Sequence, residues 1–378
     1  MPRRIAAAAA AALLAAALAV VLARPWAASH ADPAAATTAA GTATAPTLSV
    51  RGNHLVSQRG NVVRLTGVNR SGAEYTCVGG QGIWDGPTDT GEAVRAIASW
   101  HVNAVRIPLN EDCWLGINGV KRAYGGARYR AAIAGYATRL ERFGITPILN
   151  LHFSAPGASV ARRQASMPDE DHSPAFWASV AAYFSRDHHV IFDLFNEPYP
   201  DGKRDTAAAW RCVRDGGTCP GVRFRAAGMQ QLVNVVRAAG ATQPLMIAGP
   251  QYAGDVDRWL RYEPRDPLHQ LIASVHIYEP NFAPCDTRSC WNAQLAPVAA
   301  RVPVVEGEIG SRNCTASSMT PLLNWSDAHG ISYLAWAWNV ANCIGEPSLI
   351  TNYSGTPTRT YGRGYRDHLA ALARRPGG

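Results

Sequence analysis

Residues 190–198 read VIFDLFNEP, and residues 302–310 read VPVVEGEIG. Each stretch begins as a mainly apolar run, which is typical of a strand buried on both faces of a sheet. Each run ends in an acidic side chain, Glu197 in the first stretch and Glu308 in the second, 111 residues further along the chain. A carboxylate at the end of a buried strand is costly unless it has partners or a chemical task.

Similar apolar runs recur along the chain and predict eight strands, at residues 62–68, 104–109, 146–151, 190–195, 245–248, 271–277, 304–307 and 331–337. Apolar residues at three-to-four spacing predict helices between most of them, at residues 91–100, 129–143, 175–184, 224–239, 321–328 and 365–373, with the weakest helical pattern at 255–261. This alternation indicates an α/β protein with a closed (β/α)8 TIM barrel as its single catalytic domain.

In such a barrel, the side chains that carry the chemistry lie at the carboxyl ends of the strands. The polar residues that fall at the predicted ends are Asn69, Arg106, His152, Asn196, Glu197, His276, Tyr278 and Glu308. Hydrolysis of a glycosidic bond requires two carboxylates that flank the bond. Glu197 and Glu308 match that requirement, so the sequence predicts a glycoside hydrolase.

The first 47 residues have a composition unlike the rest of the chain. A short basic start precedes an uncharged Ala/Leu/Val run from Ile5 to Ala23, and small residues follow at 29 and 31. We interpret residues 1–31 as a cleaved signal peptide, with an uncleaved membrane anchor as the alternative. Residues 32–47 are expected to form an Ala/Thr/Pro linker and residues 48–378 the catalytic domain. Either interpretation predicts an exported, extracellular protein.

The chain contains eight cysteines. An even number in an exported chain favours disulfide bonds, and the absence of CxxC and HExxH motifs argues against zinc. Local spacing favours two pairs, and the remaining four cysteines complete the expected set: Cys212–Cys219, Cys285–Cys290, Cys77–Cys113 and Cys314–Cys343.

The formal net charge is +8, and removal of residues 1–31 leaves 33 basic and 28 acidic residues, or +5. The basic residues are scattered along the chain, which argues against nucleic acid as a partner. We expect a monomer that does not bind membranes after signal cleavage. The predicted chemistry needs no cofactor and no metal. The sequence leaves open whether the protein binds a structural calcium ion.

Several motifs resemble glycoside hydrolase family 5, the cellulase family of (β/α)8 retaining glycosidases, over residues 47–378. They are VRIP at Arg106, NLH at His152, NEP at residues 196–198, HIY at residues 276–278 and GEIG at residues 307–310. The resemblance implies that Glu308 is the nucleophile and Glu197 the acid and base. It also implies a set of substrate-binding residues, namely Arg106, His152, Asn196, His276, Tyr278 and Trp336.

The resemblance further assigns tasks within this set. Arg106 would keep Glu308 ionised and Tyr278 would donate a hydrogen bond to it. Asn196 would bind the sugar 2-hydroxyl, and Trp336 would form an apolar floor beneath the sugar. The histidines at 152 and 276 would hold substrate hydroxyls or orient the acid.

Glu306 precedes Glu308 by two residues, so a regular strand would turn both side chains to the same face. We expect Glu306 to lie one layer deeper, in a structural role and paired with a basic residue inside the barrel. Asp193 is likewise expected to be a structural acid. Glu308 is the preferred nucleophile because it matches the family motif.

The chain contains eleven tryptophans. Four of them fall near predicted loops on the active face and could form sugar subsites, or could instead pack within those loops: Trp84, Trp114, Trp259 and Trp291. As a group, they favour a polysaccharide or oligosaccharide substrate. Endo-β-1,4-glucanase is the leading interpretation, with β-mannanase and exo- or endo-β-1,3-glucanase as alternatives. A non-catalytic carbohydrate-binding protein is the alternative of another class.

Overall fold

The computed structural model describes residues 44–279 and 284–375. The expected signal peptide and most of the expected linker therefore lie outside the described residues. The first described elements form a small antiparallel sheet of three strands, β1 (Leu48–Arg51), β2 (His54–Ser57) and β3 (Val62–Val63). The predicted strand at 62–68 thus divides into β3 and a separate barrel strand, because residues 64 and 65 interrupt it.

Eight parallel strands form a closed barrel, and two further strands form a separate antiparallel ribbon. These ten strands are β4 (Thr66–Asn69), β5 (Ala104–Asn110), β6 (Thr146–Phe153), β7 (Ile191–Asp193), β8 (Gly216–Gly217), β9 (Ala226–Ala227), β10 (Leu245–Ala248), β11 (Leu271–Glu279), β12 (Val304–Ser311) and β13 (Ser332–Ala335). The barrel has the order β10-β11-β12-β13-β4-β5-β6-β7, and the ribbon consists of β8 and β9. The predicted (β/α)8 barrel is confirmed.

The helices that alternate with the barrel strands include six close to predicted positions, α1 (Gly91–Ala98), α3 (Ala127–Arg142), α4 (Ser173–Tyr183), α6 (Met229–Ala238), α10 (Ala316–Ala328) and α11 (Tyr361–Ala373). The weak pattern at 255–261 corresponds to a single turn, α7 (Trp259–Tyr262). The apolar pattern of the sequence did not predict α2 (Glu111–Leu115), α5 (Ala207–Asp215) or the continuous helical stretch formed by α8 (Arg288–Cys290), a π-helix (Trp291–Leu295) and α9 (Ala296–Ala299). In the described part of the chain, no helix has the length and apolarity needed to cross a membrane.

Two apolar clusters hold this arrangement together. The larger cluster joins the outer faces of the strands to the surrounding helices. The smaller cluster fills the amino-terminal end of the barrel, where Leu48 and Leu55 of the small sheet pack with residues of the barrel strands. The small sheet therefore closes one end of the barrel and leaves the carboxyl ends of the strands for a site.

All four expected disulfide bonds are present: Cys77–Cys113, Cys212–Cys219, Cys285–Cys290 and Cys314–Cys343. Each joins segments that follow barrel strands, so the bonds restrain the connections at the carboxyl-terminal end of the barrel. Cys113, Cys212 and Cys290 lie in short helices there.

Candidate active site

A fully buried arginine organises the carboxyl-terminal end of the barrel. Arg106 on β5 donates from Nε to Asp193 Oδ2 at 2.7 Å and from Nη2 to Asn196 Oδ1 at 2.7 Å. Its Nη1 donates to Asn69 Oδ1 at 2.9 Å and to Glu308 Oε1 at 2.7 Å. The planar guanidinium thus fixes four side chains, which come from β4, from β12 and from β7 with the residues that follow it, in one geometry.

The two glutamates face each other above this arginine. A carboxylate oxygen of Glu197, one of Glu308 and a ring nitrogen of His276 all lie within 4.8 Å of one another. His276 Nδ1 lies 3.0 Å from Glu197 Oε1 and 3.6 Å from Glu308 Oε2. The Tyr278 hydroxyl donates to Glu308 Oε2 at 2.5 Å. Carboxylate oxygens of Glu197 and Glu308 within 4.8 Å of each other fit the roughly 5–5.5 Å between the carboxyl groups of retaining glycosidases better than the roughly 6.5–9.5 Å of inverting ones.

The surroundings of the two glutamates differ. Burial raises the pKa of Glu197 well above its ordinary value, and the charge of Glu308 raises it further. Burial also raises the pKa of Glu308, but Arg106 and the hydrogen bond from Tyr278 oppose that rise. Burial and the charge of Arg106 lower the pKa of His276 well below its usual range, so this imidazole is neutral. The surroundings therefore favour protonation of Glu197 over protonation of Glu308.

A β-bulge in β12 directs Glu308 into the barrel. On the neighbouring strand β11, Val275 pairs with Glu306 but His276 pairs with Glu308, so Gly307 is an extra residue. A bulge of this kind reverses the faces of the residues that follow it. The prediction that Glu306 and Glu308 face the same side is therefore wrong. Asn69 Nδ2 donates to the carbonyl of Gly307 at 3.0 Å and supports the bulge.

Glu306 consequently points away from the site. Its Oε1 accepts a hydrogen bond of 2.8 Å from Ser326 on α10, and burial raises its pKa to about 8. Glu306 was expected to pair with a basic residue inside the barrel, and the structure shows a serine as its partner instead. The charge of Arg64 acts on Glu306, but Arg64 forms its ion pair with Asp327. The structural role expected for Glu306 agrees with this position.

The histidine and tryptophan of the expected set lie together at one side of the site. The His152 ring stacks against Trp336, with centroids 5.4 Å apart and an interplanar angle of 14°. His152 Nδ1 lies 2.9 Å from Asn150 Oδ1, and its Nε2 lies 3.4 Å from Asn196 Nδ2. The structure thus brings all eight sequence-predicted site residues to one end of the barrel.

Three further polar residues support this set and were missed in the sequence. Asn150 donates to Asp193 Oδ2 at 3.1 Å, below the arginine. Gln164 accepts from Asn196 Nδ2 at 2.7 Å and donates to the carbonyl of Glu197 at 2.5 Å. Glu346 accepts from Trp336 Nε1 at 3.1 Å. Gln164 and Glu346 lie in long connections with no motif, so only the tertiary fold reveals them.

The tryptophans expected as possible sugar subsites do not form a cleft. Trp114, Trp259 and Trp291 are buried in the core. Trp84 is half-buried and packs edge-on against Tyr136, with ring centroids 5.1 Å apart. The packing alternative therefore describes these tryptophans better than the subsite alternative.

Two other groups bring potential metal ligands within 4.8 Å of one another, Glu111–Asp169–His172 and Asp205–Asp255–Asp257. Glu111 accepts hydrogen bonds from Ser173 Oγ and, more weakly, from the Ala155 amide. In the second group, Asp255 accepts from Gln251 Nε2 and from the Asp257 amide, and Asp205 accepts from Arg258 Nη2. We assign no ion to either group.

A closed parallel barrel with two facing carboxylates at the carboxyl ends of its strands has the architecture of the (β/α)8 glycoside hydrolases. Residues 56–342 match the sequence model of Cellulase (glycosyl hydrolase family 5). The chain belongs to this family of glycoside hydrolases.

Two characterised relatives share 21% identity with the chain. One is the beta-mannanase/endoglucanase A of Caldicellulosiruptor saccharolyticus, where the match covers 75% of this chain and 19% of the relative. The other is the endoglucanase CelA of Streptomyces lividans, where it covers 78% of this chain and 56% of the relative. The chain thus spans about a fifth and about half of the length of these two proteins.

Solved structures share the fold at low sequence identity. A beta-glucanase from Saccharophagus degradans superposes with a TM-score of 0.64 at 18% identity, covering 88% of this chain and 95% of that one. An endocellulase from Pyrococcus horikoshii superposes with a TM-score of 0.65 at 17% identity, covering 87% of this chain and 100% of that one. These likenesses establish the barrel fold.

Proposed function

We propose that the protein is an endo-β-1,4-glucanase that hydrolyses its substrate with retention of anomeric configuration. The observation that carries this proposal is the pair Glu197 and Glu308, with carboxylate oxygens within 4.8 Å and unequal surroundings. Arg106 and Tyr278 both bind Glu308, whereas Glu197 is held by the neutral His276. One carboxyl group is thereby suited to attack as an anion and the other to donate a proton.

In the first step, Glu308 attacks the anomeric carbon and forms a glycosyl-enzyme ester. The bond between that carbon and the glycosidic oxygen breaks, and Glu197 donates its proton to the departing oxygen. Arg106 stabilises the negative charge of Glu308 before the attack.

In the second step, the ionised Glu197 removes a proton from a water molecule. The resulting hydroxide attacks the anomeric carbon and releases Glu308, which returns both carboxyl groups to their starting states. Two inversions at the same carbon give net retention.

The remaining residues of the set would bind the sugar at the cleavage point. Asn196, which Arg106 and Gln164 hold in position, would bind the 2-hydroxyl, a contact that strengthens in the transition state. Trp336, held by stacking on His152 and by Glu346, would supply a flat apolar floor. His152 is also available to bind a hydroxyl group.

The two relatives support glucan as the substrate, since both are named as endoglucanases. The first is also a beta-mannanase, which makes β-mannanase the second candidate. A structure of the Saccharophagus degradans beta-glucanase in complex with cellotetraose adds a glucan ligand among the proteins of like fold. Endo-β-1,4-glucanase activity is consistent with all three.

We further propose that the protein is exported and acts outside the cell, with residues 48–378 as the catalytic domain. Four disulfide bonds support an oxidising compartment. The first barrel-closing strand begins at Leu48, which supports the proposed start of the domain.

The test is to incubate the purified protein with carboxymethyl-cellulose, glucomannan, galactomannan, laminarin and xylan, and to follow viscosity and reducing ends together. We expect a rapid loss of viscosity on carboxymethyl-cellulose and a β-configured first product by NMR. Glu308→Gln should abolish both the loss of viscosity and the formation of this product. Glu306→Gln is the matched control, because Glu306 faces away from the site and its pKa of about 8 makes it largely neutral at pH 7.

Other outcomes would correct the proposal. Faster cleavage of galactomannan would make the enzyme a mannanase, and reducing ends without loss of viscosity would make it exo-acting. Binding without release of sugar from any of the five substrates would favour a carbohydrate-binding protein. An α-configured first product would contradict retention.

A further inference from the structure

The hydrogen bonds that His152 can form in the site depend on which of its ring nitrogens carries the proton. Burial and the charge of Arg106 lower the pKa of His152 well below its usual range, so the ring is neutral. A neutral imidazole has one nitrogen that donates and one that accepts. Nδ1 faces Asn150 and Nε2 faces Asn196, so these two amides determine the position of the ring proton.

The amide of Asn150 has a single orientation that its neighbours allow. Its Nδ2 lies 3.1 Å from Asp193 Oδ2 and 3.3 Å from the main-chain carbonyl oxygen of Asp193. The same Oδ2 accepts from Arg106 Nε, and a carbonyl oxygen can only accept, so the amide nitrogen must face both atoms. Oδ1 of Asn150 then faces His152 Nδ1 at 2.9 Å. Because an amide oxygen only accepts, Nδ1 carries the ring proton.

The amide of Asn196 leads to the same tautomer from the other side of the ring. Arg106 Nη2 donates to Asn196 Oδ1 at 2.7 Å, and a guanidinium group only donates. The amide nitrogen of Asn196 therefore faces Gln164 Oε1 at 2.7 Å and His152 Nε2 at 3.4 Å. A proton on Nε2 would point at another N–H group, so Nε2 carries the lone pair.

Both sets of hydrogen bonds begin at Arg106, which has no acceptor atom. One passes through Asn196 to Nε2 of His152, and the other passes through Asp193 and Asn150 to Nδ1. Each of the four residues that lead to His152 is at most 2% exposed. Buried hydrogen bonds of this kind are shielded from competition with water, and a fully satisfied network favours one arrangement.

We propose that Asn150 is a positioning residue that holds His152 as the Nδ1-protonated tautomer and thereby makes Nε2 an acceptor for a hydroxyl group of the substrate. This inference rests on the proposed function, because it takes His152 as a residue that contacts the sugar. Trp336 stacks on the same ring, so the plane of the imidazole and its proton are both fixed. Asn150 is fully buried and acts through His152.

Nitrogen NMR of the 15N-labelled protein tests the tautomer directly and needs no substrate. The signals of His152 are identified by their absence from the spectrum of His152→Ala. Near pH 7, we expect Nδ1 of the wild type to resonate as a protonated nitrogen and Nε2 as an unprotonated one. In Asn150→Leu, Nε2 should become partly protonated, because Nδ1 loses its acceptor. A proton on Nε2 in the wild type would overturn the inference.

A double-mutant cycle tests whether Asn150 acts through His152 in catalysis. It compares kcat/KM on cellotetraose for the wild type, Asn150→Leu, His152→Ala and the double variant. Asn150→Leu should lower kcat/KM about tenfold when His152 is present, the usual effect of one lost hydrogen bond. With alanine at position 152, the same change should alter kcat/KM by less than about twofold, since coupled residues are not additive.

Asn103→Leu is the matched control. Asn103 also uses its side-chain amide at both ends, since Oδ1 accepts from the Thr66 amide at 2.8 Å and Nδ2 donates to the Arg64 carbonyl at 2.9 Å. It directly precedes β5, at the end of the barrel opposite the site. This variant should keep the kcat/KM of the wild type and leave the nitrogen signals of His152 unchanged.

The outcomes separate this inference from the proposed function. If the wild type hydrolyses cellotetraose but Asn150→Leu lowers kcat/KM equally with and without His152, Asn150 acts by another route, the inference is wrong and the proposed function stands. If the wild type hydrolyses no glucan, the proposed function fails and His152 loses its assigned contact with the sugar. The NMR measurement then still decides whether Asn150 fixes the ring proton.

Discussion

Arg106 carries a full charge in the centre of the barrel without contact with water. Its two ion pairs, with Asp193 and Glu308, have N–O distances of 2.7 Å. Removal of one member of a buried pair typically costs about 3–5 kcal/mol, because the other charge stays buried without a partner. Asp193 keeps a pKa raised to about 6 by burial even beside the arginine. Arg106 is thus needed both for the fold and for the charge of Glu308.

Tyr278 adjusts the ionisation of Glu308. Its hydroxyl donates to Glu308 Oε2 at 2.5 Å, which favours the ionised carboxylate and lowers its pKa. Tyr278→Phe removes that donor, so the pKa of Glu308 should rise. Because the proposed nucleophile, Glu308, must be ionised to attack, activity should then be lost at a higher pH on the acid side. We expect the acid limb of the kcat/KM profile to move up by about one pH unit.

The control for this variant is Tyr365→Phe. That change also removes a buried hydroxyl, but one that donates to the carbonyl of Gly67 and not to a carboxylate. The acid limb of Tyr365→Phe should match that of the wild type. The alkaline limb, which is expected to report loss of the proton from Glu197, should match the wild type in both Tyr278→Phe and Tyr365→Phe. An unmoved acid limb in Tyr278→Phe would show that the hydroxyl does not control the ionisation of Glu308.

At the scale of the elements, the bulge in β12 determines which glutamate enters the site. A Cβ at Gly307 would lie 2.9 Å from Ser274 Oγ and 3.0 Å from His276 Nε2, so a side chain there must displace one of them. We expect Gly307→Ala to lower kcat/KM by roughly a hundredfold, because displacements of about 1 Å at a catalytic site can cost that much. The measurement is hydrolysis of the best polysaccharide substrate, with thermal unfolding recorded alongside.

Gly91→Ala provides the matched control for the bulge. A Cβ at Gly91, in the first turn of α1, meets no atom within 4 Å. This variant should retain full activity. Wild-type activity in Gly307→Ala would contradict the importance of the bulge. A loss of activity together with a large fall in the unfolding temperature would indicate a folding defect instead.

Sequence patterns were sufficient for the barrel because its strands are buried on both faces and read as continuous apolar runs. The carboxyl ends of these runs then indicated Arg106, Glu197 and Glu308. The orientation of Glu306 was missed because a single inserted residue changes the register without changing the apolar pattern. Helices α2 and α5 were missed because they are short and belong to connections that disulfide bonds stabilise.

At the scale of the whole molecule, the two ends of the barrel have separate tasks. The site and all four disulfide bonds occupy the carboxyl-terminal end. At the other end, Leu48 and Leu55 of the small sheet pack on the first residues of the barrel strands, including Ile191, Ile272 and Val305. This arrangement is typical of TIM barrels, in which one end carries activity and the other stability.

Leu55→Ala should therefore affect stability and leave catalysis unchanged. Leu55 is 3% exposed, and truncation of a buried leucine to alanine typically costs about 2–5 kcal/mol. We expect the free energy of unfolding, measured with urea under oxidising conditions, to fall by about that amount. At 25 °C, kcat/KM should equal that of the wild type, because the cavity lies at the end of the barrel opposite Glu308.

Val62→Ala tests whether the effect of Leu55→Ala comes from the apolar cluster or from the small sheet in general. Val62 lies on β3 of the same sheet but is 62% exposed, so its truncation should change stability by no more than about 0.5 kcal/mol. If Leu55→Ala lowered kcat/KM while stability stayed constant, the two ends of the barrel would be coupled, and the separation of stability from activity would be wrong for this protein. The packing predicts that Leu55→Ala loses stability but keeps full activity. It predicts that Val62→Ala keeps both.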